Sequence, residues 1–96
     1  MSKVADKLAS AADMFESKNK EYGNAYKKHG AVINSFFPDG LNLSNESDFI
    51  RYQIFESIVA KLNRYAQNFK DGGHEDSLID ASVFCAMLQE LDDENS

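Results

Sequence analysis

Two stop signals divide this chain and leave the rest to helices. Pro38-Asp39-Gly40 is a strong turn sequence, and Asp71-Gly72-Gly73 is a second. Elsewhere apolar residues return every three or four positions. Over Lys3 to Ser17 these are Val4, Leu8, Ala11, Ala12 and Phe15, with Ser2 as an N-cap and Gly23 ending the segment. A shorter helix is predicted from Asn24 to Phe36, with Tyr26, Ile33 and Phe37 on one face and Gly30 costing ~1 kcal/mol relative to Ala. Leu41 to Ser44 should run extended. Ser44 or Ser47 can cap the longest helix, Glu46 to Phe69, with Tyr52, Phe55, Val59, Leu62, Ala66 and Phe69 as its apolar stripe, widened by Ile54 and Ile58. The fourth helix spans His74 to Leu91, with one stripe of Leu78, Ala81, Cys85 and Leu88 broadened by Ile79, Val83 and Met87. The residues from about Asp92 onward are expected to fray. No segment alternates as a strand does, and there is no internal repeat. The expectation is a single all-α domain over residues 1–96, an up-and-down bundle of three to four helices.

With 96 residues the core must be small, because a chain of this length buries only roughly 60–65% of its unfolded surface. Oligomerisation is the natural supplement, and the aromatic excess at Phe36, Phe37, Phe49 and Tyr52 points to a homodimer or higher assembly. The net charge is −6 and uneven. Asp71 to Ser96 holds eight acids and no Lys or Arg, whereas Met1 to Gly30 has six Lys against four acids. That asymmetry can orient subunits head against tail. It also argues against direct binding of duplex DNA, for which a basic footprint is needed. A single cysteine, Cys85, makes no internal disulfide and reads as an inert core thiol in a reducing compartment. No apolar h-region and no run of ~18 apolar residues appears, so the expected place is the cytoplasm, away from membranes.

Three polar clusters stand out. Asp76 and Asp80 are four apart, on one helix face, where like charges repel by a few tenths of a kcal/mol. A cation bridging them offsets that cost, and Mg²⁺ suits one or two carboxylates plus substrate phosphates. An acid-rich first turn that complements the helix dipole accounts for Glu75 and Asp76 but not for Asp80. On the third helix Gln53 and Glu56 are three apart, as are Lys61 and Arg64. Glu56 lies in an apolar stretch and needs a partner or a metal. Plain salt bridges between these acids and Lys61 or Arg64 are the simpler alternative. The third cluster runs from Lys18 through Lys20, Tyr22, Gly23 and Asn24 to Lys27-Lys28-His29. Its lysines can hold phosphates and Tyr22 can stack on a base, or the segment is a solvated helix end. His29 and His74 are too distant in sequence to be read as a pair. No nucleophile arrangement stands out, and Gly72-Gly73 lacks the lysine and spacing of a phosphate loop.

Lys20-Glu21-Tyr22-Gly23, Lys61-Leu62-Asn63-Arg64 and Gly73-His74-Glu75-Asp76-Ser77 followed by Asp80 together resemble small phage-encoded proteins. These are similar to the all-α nucleotide pyrophosphohydrolases, MazG-like and dimeric dUTPase-like, through the nucleotide modification-associated domain. The resemblance covers roughly Met14 to Leu91. It implies a helical bundle completed by dimerisation and a Mg²⁺-dependent site that hydrolyses a nucleoside triphosphate to a monophosphate and pyrophosphate. On it, Glu56, Asp76 and Asp80 hold metal, with Glu56 and Asp80 catalytic. Lys61, Arg64 and Lys20 meet phosphates, and Tyr22 and Asn24 face the base or sugar. The family carries Glu-x-x-Glu on one helix and Glu-x-x-Asp on the next, where this chain has Gln53-x-x-Glu56 and Ser77-x-x-Asp80. Two of four carboxylates are therefore absent, and Asp76 can stand in for one. The rival expectation is a non-enzymatic, acidic phage protein that binds and inhibits a host factor or defence component.

Overall fold

The computed structural model describes the backbone of residues 2–22 and 25–95, and the side chains among them outside residues 19–26. Four α-helices follow in order: α1 (Lys3–Tyr22), α2 (Ala25–Phe36), α3 (Glu46–Gln67) and α4 (Glu75–Glu94), with a 3₁₀ turn at Phe69–Asp71. There is no strand among the described residues. The chain is all-α, and none of its described helices is long and apolar enough to cross a membrane.

The helix ends follow local chemistry. Ser2 Oγ accepts from the Ala5 amide at 3.1 Å and starts α1. α2 runs straight through Gly30, which has no atom within 4 Å of where a Cβ would stand. α3 is capped by Asn45 rather than by Ser44 or Ser47. Its side chain accepts from the Asp48 amide at 2.9 Å, three residues on, as a cap must. Asp48 reaches back to accept from the amide and hydroxyl of Ser44 at 3.1 and 3.2 Å. α4 continues past the expected fraying point to Glu94, because Arg51 holds Asp92 at 2.8 Å and Ser47 donates to Asn95 at 2.9 Å.

α3 and α4 lie antiparallel, and three side-chain pairs fix their register. Ser47–Asn95, Arg51–Asp92 and Lys61–Asp80 (3.0 Å) step along the two helices in opposite senses. The interface is built on small residues of α4. Ala81 and Ser77 are buried and face Val59, the buried residue of α3. The face of α4 turned inward is therefore Ser77, Ala81, Phe84 and Leu88. Of the expected stripe, Ala81 and Leu88 turn inward, whereas Leu78 and Cys85 are exposed, so Cys85 is not a core thiol. α2 packs on a different face of α3 through Phe36 and Phe37, whose rings meet Phe55 edge-on at 5.3 and 5.5 Å between centroids. α1 is different: every described side chain from Lys3 to Lys18 is exposed.

The α3–α4 connection depends on two glycines with left-handed φ, Gly72 at 100° and Gly73 at 86°. Gly72 faces open space, whereas a Cβ on Gly73 would stand 2.8 Å from the ring of Tyr65. Alanine at Gly72 should cost about 1 kcal/mol from backbone conformation alone. Alanine at Gly73 should cost distinctly more, because Tyr65 must also move. Urea unfolding of the two variants checks the order, and equal midpoints would contradict it.

Candidate functional site

The turn Gly72-Gly73 delivers the chain to His74, which opens α4. His74 has extended backbone, and its Nδ1 accepts from the Ser77 amide at 3.2 Å. The same nitrogen is 2.6 Å from Ser77 Oγ, the hydroxyl of a side chain only 1% exposed. Ser77 thus enters the helix interface with its hydroxyl satisfied, as a buried polar group must. This cap sets the rotation of α4 and with it the positions of Asp76 and Asp80.

Asp80 pairs with Lys61 across the α3–α4 groove, at 3.0 Å between Oδ2 and Nζ. Asp80 is about half exposed and Lys61 half-buried. Arg64 lies three residues further along α3 and, in the antiparallel register, is level with the first turn of α4 that carries Asp76. Along the helix axes, Lys61 and Arg64 of α3 therefore run level with Asp80 and Asp76 of α4 in a strip at this end of the helix pair. An ion pair this exposed contributes below about 1 kcal/mol, so its charges are free to exchange partners.

Glu56 is not part of that strip. It stands five residues before Lys61, about 140° around the helix, and faces α2. Its Oε1 is 3.2 Å from His29 Nε2, and the other ring nitrogen of His29 is 3.4 Å from Asn63 Nδ2. The carboxylate that needed a partner in an apolar stretch has found a histidine 27 residues earlier. His29 is thereby a bridge between α2 and α3. Gln53, the neighbour of Glu56 in the sequence pattern, is exposed. Lys20, Tyr22 and Asn24 lie outside the residues whose side chains are described.

The fit to Mg²⁺ divides along the same line. Among the described residues no three His, Cys, Asp or Glu side chains gather closely enough to hold a metal ion. The three-acid set Glu56, Asp76 and Asp80 is thus not assembled within one chain. Asp76 and Asp80, exposed and one turn apart, fit the lesser requirement of a Mg²⁺ that arrives on nucleotide phosphates. A shallow apolar hollow lies elsewhere, between the α2–α3 turn and α4, lined by Phe37, Leu41, Tyr52, Phe55 and Leu88 with Arg51 and Asp92 at its rim.

Comparison with protein families, with curated proteins and with solved structures finds no match to this chain.

His74 is the residue that sequence reasoning passed over, because histidine is not among the residues that ordinarily mark a helix N-cap. Replacing His74 with Ala should cost about 1 kcal/mol. Thermal unfolding followed by circular dichroism measures it, and an unchanged midpoint would show that the cap contributes nothing.

Proposed function

We propose that this chain is a nucleotide-binding protein of the helical pyrophosphohydrolase kind, with phosphates engaged by Lys61 and Arg64 and an accompanying Mg²⁺ by Asp80 and Asp76. The observation that carries this is the partly exposed Lys61–Asp80 pair at 3.0 Å, with Arg64 and Asp76 continuing the strip. A phosphate can take Lys61 from Asp80 at little energetic cost, because the partly exposed pair is weak. The released Asp80 carboxylate, with Asp76, would hold the cation that the nucleotide brings. Mg²⁺ would supply polarisation of the phosphate oxygens and an activated water. Asp80 holds the strip in register in the free protein and changes partner on binding; Lys61 and Arg64 supply the positive charge that developing phosphate charge requires. Glu56, committed to His29, positions α2 against α3 in the free chain, and hydrolysis calls for its release toward the strip or for carboxylates from elsewhere.

A second reading, a non-enzymatic protein that binds a host factor, is favoured by the acid-only surface of α4, which carries seven carboxylates and no base. It predicts a stoichiometric protein complex that survives Lys61→Ala.

Calorimetric titration with nucleoside triphosphates in Mg²⁺ separates the two. The nucleotide reading expects saturable binding that falls about tenfold or more, 1.4 kcal/mol per decade, in Lys61→Ala and in Asp80→Ala. Melting temperatures should stay near the parent value, since the pair contributes little to folding. Absence of heat with the parent protein, or full affinity in Asp80→Ala, overturns it.

A further inference from the structure

We infer that α1 is an exchanged arm: its apolar stripe lies on the outward face of α4 in a second copy of this chain, reciprocally, in a two-fold dimer. Folded alone, a 10.8 kDa chain exposes about 5,500 Å², and this chain exposes 7447 Å². Its radius of gyration is 16.9 Å, against about 12.5 Å for a compact domain of this length. The surplus of about 1,900 Å² per chain amounts to about 3,800 Å² for two, inside the range of obligate dimers.

The surplus sits on two helices that match. On α1, Val4, Leu8, Ala11 and Phe15 form a line at steps of four, three and four, with Val4 and Leu8 each 66% exposed. On α4, Ile79, Val83 and Met87 form a line opposite the face that packs on α3, with Ile79 and Val83 53% and 49% exposed. Both helices have 20 residues, so each can cover the length of the other. Their charges complement as well. Lys3 and Lys7 share one flank of the α1 stripe, while Glu90 and Glu94 continue the α4 stripe along the same line. Copies of α4 do not suit one another, because the helix carries seven acids and no base. A copy-to-copy contact of α1 on α4 buries both stripes and sets lysine against carboxylate. Isologous closure makes each chain give one arm and receive one. Neither the surplus area nor the two stripes depends on what the Lys61–Asp80 strip binds.

Sedimentation equilibrium of the unmodified chain gives the first reading, with twice the chain mass of 10.8 kDa expected. The chain mass at every accessible concentration overturns the inference, whether α1 then stays open, folds back or awaits another protein. The second reading locates the contact. In a Cys85→Ser background, chains carrying Leu8→Cys and chains carrying Val83→Cys are mixed and oxidised. A disulfide between the two kinds of chain is expected, and neither kind should link to itself. Self-linked Leu8→Cys chains, or a dimer in which no mixed disulfide forms, overturn the pairing of α1 with α4. A closed assembly larger than two with the mixed disulfide keeps that pairing and overturns its two-fold reciprocity.

Discussion

The close approach of α4 to α3 is the constraint on which the rest of this molecule rests. It is made possible by small residues: Ser77 and Ala81 put almost no bulk between the helix backbones, and Val59 fills the space they leave. A buried serine hydroxyl is costly without a partner, and His74 supplies one while capping the helix that carries it. One histidine thus solves two problems at once, and the rotation of α4 follows from it. From that rotation come the inward face of Ala81, Phe84 and Leu88, the outward stripe of Ile79, Val83 and Met87, and the placing of Asp80 against Lys61.

Much of the fold was legible in the sequence because its signals are local. Apolar periodicity located all four helices, and Pro38 and Gly72-Gly73 located the breaks between them. The errors arise where several residues offer the same local chemistry. Ser44, Asn45 and Ser47 can each cap a helix, and Asn45 does so because its oxygen alone meets the amide three residues on. The fourth helix is apolar nearly all round, so periodicity does not say which face turns inward. The inward face runs through Ser77, a polar residue, together with Ala81 and Leu88 of the expected stripe, and Leu78 and Cys85 are left outside. The end of α4 is held by Arg51 and Ser47, contacts across more than 40 residues that local reasoning does not see.

The candidate site divides in the same way. The spacings of Asp76 with Asp80 and of Lys61 with Arg64 are properties of single helices, and the antiparallel register brings the two pairs to one strip. The pairing of Glu56 with His29 is a tertiary fact, decided by where the Phe36–Phe37–Phe55 cluster seats α2. An acid that a sequence pattern groups with Asp80 is, in one chain, turned about 140° around α3 from Lys61, the residue that pairs with Asp80. The polar strip and the unburied area are consequences of the same arrangement. α2 and α4 pack on different faces of α3, and no described side chain of α1 up to Lys18 is buried against either.

A second copy that covers α1 and the outer face of α4, as inferred above, adds to the stability of the fold. The unfolding midpoint as a function of protein concentration tests it, because assembly that stabilises the folded state makes the midpoint rise with concentration. A midpoint that climbs steadily over a hundredfold dilution series (about two decades) is the predicted result. A sharp, cooperative transition at one temperature throughout that series would contradict it.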